Sequence, residues 1–291
     1  MRNVLTLRPL LRVSVVLTVA AVAGSVAAQP ANPAPKAGAR APARAPAKAA
    51  DVGSALQQLK ANDEAQIRAG LDELRQAGTG ASSAAPQVAE LLSNGLSEPL
   101  TLAAIETLGE LESAEGSPVL AQYATHRTLS IRRAAVKALT RTKGAPAAPA
   151  LRRARGDADA MVRNYAAAGL GALKAKDAID DLFLALDHKV NEAAASIGQL
   201  CNAEQCDRLA RKLGKLPFDI VTTGLDQILF RPSSEVSDDT KIKTVGRLVE
   251  LGTAEANRFL KDVEQRLTKE TSPRLRQSVE QGVKSTMGGS Q

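Results

Sequence analysis

SIRRAAVKALTRT, residues 130–142, returns 31 positions later as MVRNYAAAGLGAL, residues 161–173, and is preceded at the same interval by PLTLAAIETLGEL, residues 99–111. In register, Leu100, Ile131 and Val162 coincide, as do Ala104, Ala135 and Ala166, and again Leu108, Leu139 and Leu170. NEAAASIGQL (191–200) repeats NYAAAGLGAL (164–173) at a shift of 27. Between these segments Leu120, Leu151 and Leu182 recur every 31 residues, Val88 precedes them by 32, and Pro118 aligns with Pro149. A fixed period of this length denotes stacked supersecondary units.

Each unit reads as two helices. Ile131, Ala134, Ala135, Ala138 and Leu139 fall on one helical stripe, where alanines permit close approach and leucines supply apolar area. The second helix often opens at a proline, as at Ser117-Pro118, with the serine expected as its N-cap. One hairpin cannot bury its own face, but a row of them can. The expected pairs are 63–76 with 84–95, 98–111 with 118–125, 128–142 with 146–155, 159–173 with 177–186, and 188–200 with 203–213.

An aliphatic residue followed by Arg, then an alanine-rich run closing in Leu-Gly, appears as Ile67-Arg68, Ile131-Arg132 and Val162-Arg163, with Leu108-Gly109, Leu170-Gly171 and Ile197-Gly198. This pattern resembles the HEAT-like repeat family, of the short bacterial kind also found in phycobilisome lyases. The resemblance covers residues 55–215 and implies an all-α fold, a right-handed α-solenoid of stacked helical hairpins forming a HEAT-like or ARM-like superhelix. It also implies a structural ladder in which Arg68, Arg132 and Arg163 pair with an Asp of the preceding turn. Asp63 fits that role before Arg68, and Asp157 or Asp159 before Arg163. Thr101 and Asn191 stand where further arginines would be expected, so the ladder is interrupted.

The period covers residues 51–215 and fades after Gly214, although PFDIVTTGLDQILF, DDTKIKTVGRLVELG, AEANRFLKDVEQRL and SPRLRQSVEQGVKS keep helical spacing. Residues 216–286 are therefore expected as two divergent hairpins capping the solenoid, with 287–291 a flexible tail. Ser272-Pro273 is a start signal and Gly252 a stop. At the other end, Arg2, Arg8 and Arg12 precede an apolar run and small residues at Val26 and Ala28. Residues 1–28 thus read as a secretory signal cleaved after Ala28. The alternative is a retained anchor, but the uncharged run from Val13 to Ala28 is shorter than the roughly 20 residues a spanning helix needs. Residues 29–50 form a Pro/Ala-rich arm carrying Lys36, Arg40, Arg44 and Lys48, too poor in apolar area to fold. The expected location is periplasmic or secreted, with no transmembrane span after cleavage.

The two cysteines lie in LCNAEQCD. Five residues apart on one continuous helix, their α-carbons would be roughly 8–9 Å apart, beyond the ~7 Å that a disulfide bridges. Asn202 as N-cap with Gln205 three residues on breaks the helix between them. Cys201 and Cys206 then occupy the two positions of a hydrophobic staple, and a structural disulfide is expected.

No catalytic, cofactor or metal site is expected. His126 and His188 are the only histidines and have no second His or Cys at ligand spacing. Asp177, Asp180 and Asp181 read as first-turn dipole partners rather than a cation loop. The net charge of +7 comes from the leader and the arm, leaving residues 51–291 neutral, with few aromatic rings for base stacking; no nucleic-acid partner is expected.

Charge is nevertheless segregated. Residues 51–126 hold 3 bases and 11 acids, whereas 127–155 hold nine bases and no acid. One reading makes these bases the solvated backs of two helices, neutralised by neighbouring acids. The other makes Arg133, Lys137, Arg141, Arg152, Arg153 and Arg155 a binding patch for an acidic partner. The function expected is a non-enzymatic exported scaffold or adaptor for another protein, with self-association a secondary expectation. Two alternatives stand beside it. One is attachment to an anionic cell-wall polymer or lipid surface through the arm and residues 127–155; the other is a lyase-like or chaperone-like role on another protein.

Overall fold

A computed structural model of the chain describes residues 52–288. The leader and the arm, as well as residues 289–291 of the expected tail, lie outside the described residues. The described residues form fifteen α-helices and no strand. In chain order these are α1 (Val52–Gln58), α2 (Glu64–Ala77), α3 (Ala85–Ser93), α4 (Glu98–Leu111), α5 (Ser117–Tyr123), α6 (Leu129–Leu139), α7 (Ala147–Ala154) and α8 (Ala160–Ala172). They continue as α9 (Ile179–Asp187), α10 (Glu192–Leu200), α11 (Ala203–Ala210), α12 (Phe218–Phe230), α13 (Asp238–Leu251), α14 (Ala254–Arg266) and α15 (Pro273–Gly288). Helix α15 carries the chain two residues into the expected tail. None of these helices is long and apolar enough to cross a membrane.

The helices make two rows. Even-numbered helices from α2 to α14 each pack on the next even-numbered one; in the odd row α3 packs on α5, α5 on α7, α11 on α13 and α13 on α15. This is the all-α solenoid that the 31-residue period implies. The closest pairs differ from those expected. Helix α3 lies against α4, α5 against α6, α7 against α8 and α9 against α10. The expected pairs α6 with α7 and α10 with α11 do touch, whereas 3-10 turns stand between α2 and α3 (Gly78–Ala84), α4 and α5 (Ala114–Gly116) and α8 and α9 (Lys176–Ala178), so the closer packing falls one helix along. That shift leaves α2 in need of a partner, and α1 supplies it: a Cβ on Gly70 would sit 2.8 Å from the Ala55 carbonyl oxygen.

The even row explains the glycine that closes the sequence signature. Each such glycine lies where the next even helix crosses. A Cβ at Gly109 would meet Ala138 Cβ on α6 at 3.1 Å, one at Gly171 would meet Ser196 Oγ on α10 at 2.5 Å, and one at Gly198 would meet the Gly224 carbonyl oxygen on α12 at 2.2 Å. The core between the rows is chiefly alanine and leucine, with Leu71, Leu108, Leu139, Leu170 and Phe183 fully buried.

Helix ends follow local rules, with one correction. Asp63 caps α2 by accepting from the Ala65 N–H, Ser237 caps α13 through Thr240 N–H, and Gly252 ends α13 in the left-handed region at φ 62°. Ser117, expected as the N-cap of α5, lies inside that helix, and its buried hydroxyl accepts from Gly144 N–H of the following turn at 3.2 Å. The 3-10 turn, capped by Ser113, already delivers the chain in helical geometry, so no second cap is required.

Candidate functional site

The fold answers the bases of residues 127–155 with acids from both sides. On α6, Arg132 Nε donates to Asp157 at 2.9 Å and Arg133 makes a two-pronged contact with Asp159 at 2.9 and 2.6 Å. Arg141 reaches back to Glu110 at 2.5 Å and Glu112 at 2.9 Å. On α7, Arg152 donates to Asp181 at 2.8 Å and Asp177 at 3.2 Å, while Arg155 reaches Asp181 at 3.1 Å. Asp180 takes Arg208 of α11 at 3.0 Å. The first-turn acids of α9 are therefore clamps between neighbouring units. Most of these groups are partly exposed, where an ion pair contributes about 0–1 kcal/mol. Fork-on-carboxylate bonding still leaves a clear mark on titration: Arg133 is the main reason the Asp159 carboxyl titrates as low as about 2, aided by the Val162 N–H that Asp159 caps. For Arg141, burial works against the charge, but Glu110 and Glu112 outweigh it and raise its pKa.

Of the six patch residues, Arg133, Arg141, Arg152 and Arg155 are thus engaged within the molecule. Lys137 and Arg153 have no ion pair among the described residues, and the same holds for Arg127 and Lys143 of the same segment.

The ladder is built differently from the expectation. Arg163 Nη1 donates to the carbonyls of Asp157 and Ala158, each at 2.8 Å, and Arg132 repeats this on His126 and Arg127 at 2.9 and 3.0 Å. The repeated arginine therefore caps the carbonyls of its own turn. Its carboxylates are already spent: Asp157 accepts Asp159 N–H at 2.8 Å and binds Arg132 of the preceding unit, and Asp159 holds Arg133. Arg68 pairs with Asp72 at 3.1 Å, not with Asp63, which is occupied as an N-cap. Thr101 fills its place by donating to the Leu96 carbonyl at 3.3 Å, and Asn191 stands at the N-cap of α10 without a side-chain capping bond.

A second charged cluster, unforeseen from the sequence, lies where α11 meets α13. Asp207 is 4% exposed and is met by Arg211, by Lys243 at 3.3 Å and by Arg247 at 3.6 Å. Burial disfavours its charge, but Arg211 and Lys243 more than compensate and lower its pKa. Beside it, Cys201 and Cys206 form a disulfide with α-carbons 5.3 Å apart, across the capping box of Asn202 and Gln205. Arg231 Nη1 donates to the Gly198 and Cys201 carbonyls at 3.2 and 2.9 Å, and the buried Lys241 ammonium donates to the Arg231 carbonyl. Burial lowers the Lys241 pKa. These residues recur at no fixed interval, so periodicity carries no trace of them.

Three surface depressions concern function. One of about 290 Å3 crosses α2, α4 and α6, with Arg75, Glu106, Glu110, Lys137 and Arg141 around Gly109, Ala134 and Ala138. Another, about 320 Å3, crosses α8, α10 and α12, with Gly171, Ala172, Gln199, Gln227 and Phe230 among its walls. A third, about 300 Å3, lies between α5, α6 and α7 and includes His126, Arg127 and Arg153. His126 is half-buried and stacks on Tyr123 with ring centroids 5.8 Å apart. His188 is exposed at the end of α9. Among the described residues no group of His, Cys, Asp and Glu is arranged to hold a metal ion.

Residues 85–164 match the family of HEAT repeats. The chain is similar to one chain in the structure of the complex of CpcE and CpcF of phycocyanin lyase from Nostoc sp. PCC7120, at 20% identity and TM-score 0.44, over 90% of this chain and 100% of that one. It is also similar to a designed armadillo repeat protein, at 15% identity and TM-score 0.41, over 81% of this chain and 100% of the other. A HEAT-like repeats protein from the archaeon Thermococcus onnurineus NA1 is similar at 14% identity and TM-score 0.33, over 81% and 87%. No curated protein sequence matches significantly.

Proposed function

We propose that the chain is a non-enzymatic repeat scaffold that docks a protein partner on its even-numbered row. The observation that carries this reading is the depression across α8, α10 and α12, to which three successive units contribute. No single helix pair can present such a surface; only the stacked array can. Its walls combine the small Gly171 and Ala172 with the Gln199 and Gln227 amides and the charged Lys174, Arg231 and Glu235. Phe230 stands there 37% exposed, with the Arg266 guanidinium 4.1 Å from its ring centroid. Aromatic and arginine groups are the residue types from which interface hot spots are made. We also propose, from the leader read at residues 1–28, that the chain is exported and meets its partner outside the cytoplasm.

A photoreactive residue in place of Gln199 should crosslink one defined protein in cells, and Phe230→Ala should reduce the yield. Equal crosslinking from position 143, or products made only of this chain, would overturn the docking reading. Export is checked separately, by mass spectrometry of the mature N-terminus.

A further inference from the structure

Most bases of residues 127–155 are answered by acids, and two that are not share one groove. Its walls include His126, Arg127, Arg132, Arg153 and Asp157, with alanines of α5 and α7 between them. Asp157 adds no free negative charge, because Arg132 and the Asp159 N–H already occupy it. Arg127 and Arg153 are exposed and form no side-chain hydrogen bond or ion pair among the described residues. The His126 ring is fixed from both sides. It stacks on Tyr123, and its Nδ1 accepts the Thr128 N–H at 3.1 Å. An Nδ1 that accepts cannot carry the ring proton, so Nε2–H is the ring's donor.

We propose that this groove binds a phosphate group, as inorganic phosphate or the head of a small phosphate monoester, through Arg127, Arg153 and the His126 imidazole. Two guanidinium forks and an imidazole N–H offer three separate donors. A phosphate presents three terminal oxygens to them, whereas a carboxylate has only two. Helices α5 and α7 both end at the groove, and their negative ends oppose an anion, but partial charges of this kind are weaker than two unpaired guanidinium ions. The volume of about 300 Å3 suits a small ligand. The groove lies between α5, α6 and α7 and shares no residue with the docking depression across α8, α10 and α12, so either assignment can fail without the other.

Calorimetric titration of the full chain with inorganic phosphate, at constant ionic strength and with chloride as comparator, tests this. Saturable binding of one phosphate per chain is expected. Arg127→Gln and Arg153→Gln should each weaken it about tenfold, the scale of a lost charge-assisted donor, with helical content unchanged. Lys143→Gln removes an unpaired base of the same segment outside the groove and should leave the affinity as it is. Absence of saturation, or equal weakening by Lys143→Gln, would overturn the site. A companion arm uses vesicles of phosphatidylcholine with phosphatidic acid. Vesicle binding that depends on both arginines, without saturable binding of free phosphate, would overturn the small-ligand assignment in favour of a lipid surface.

Discussion

The charges of α6 and α7 and those around Asp207 solve the same problem in opposite ways. In the periodic part, arginines and carboxylates meet at the surface and each unit clamps the next, as in Arg152–Asp181 and Arg141–Glu110. At the α11–α13 crossing one carboxylate, 4% exposed, is held by three bases, of which Arg211 and Lys243 remain largely in solvent and Arg247 is half-buried. Clamps of the first kind are individually weak and replaceable. The second kind is costly to break, because removing one charge leaves the others facing a buried, uncompensated position. The periodic units share a repeated, tolerant kind of joint, whereas the α11–α13 crossing carries a specific one of its own.

The contrast breaks first, and most severely, at the glycines of the even row. Gly198→Ala drives a Cβ to within 2.2 Å of the Gly224 carbonyl oxygen, so backbone must move, and a loss of about 3 kcal/mol is expected. Gly109→Ala meets Ala138 Cβ at 3.1 Å and Cα at 3.2 Å, contacts that a helix shift of a few tenths of an ångström relieves. There the cost is offset by alanine's helix preference of about 1 kcal/mol, and little net change is expected. Denaturant melts of the two variants should separate clearly; equal midpoints would show that the crossings are equivalent.

A smaller separation is expected between the two kinds of charge cluster. Asp207→Asn should lose about 2–3 kcal/mol, below the full cost of a buried pair because its bases keep access to water. Arg141→Ala, at a pair half in solvent, should lose about 1 kcal/mol. If the second loss matched the first in chemical denaturation, the surface clamps would be the stronger joint.

The smallest effect is one of pH. The Asp159 carboxyl titrates at about 2 in the fold against 3.8 ordinarily. A depressed folded pKa contributes stability that is fully present above 3.8 and disappears as the pH falls through about 2. The stability gap between the parent and Asp159→Asn should therefore be constant near neutrality and close over that acid window. A gap that persisted below it would assign the role of Asp159 to shape and not to charge.

Much of the fold was legible because its causes are local or repeated. The three aligned leucines mark the buried stripe, and Asn202 with Gln205 marks the helix start that places the disulfide. Helix α1 has no counterpart among the aligned segments, so the period could not announce it. The basic segment misled for a geometric reason. A solenoid neighbour in space is a residue 25 to 31 positions away, as Asp157 is from Arg132 and Glu110 from Arg141. A charge count over contiguous residues sees one side of every such pair and reports a surplus. Of the nine bases in residues 127–155, only Arg127, Lys137, Lys143 and Arg153 survive without an ion pair among the described residues. Asp207, Arg231 and Lys241 were invisible for the converse reason: they join elements that the repeat does not relate.

Both cysteine sulfurs sit behind walls of protein, their residues 1% and 0% exposed, with Arg231 and Lys241 fastened across the same corner. An external thiol can attack only molecules that have first opened there. The rate at which reductant consumes this bond in the native protein is thus a clock for how often the terminal helices part from the array.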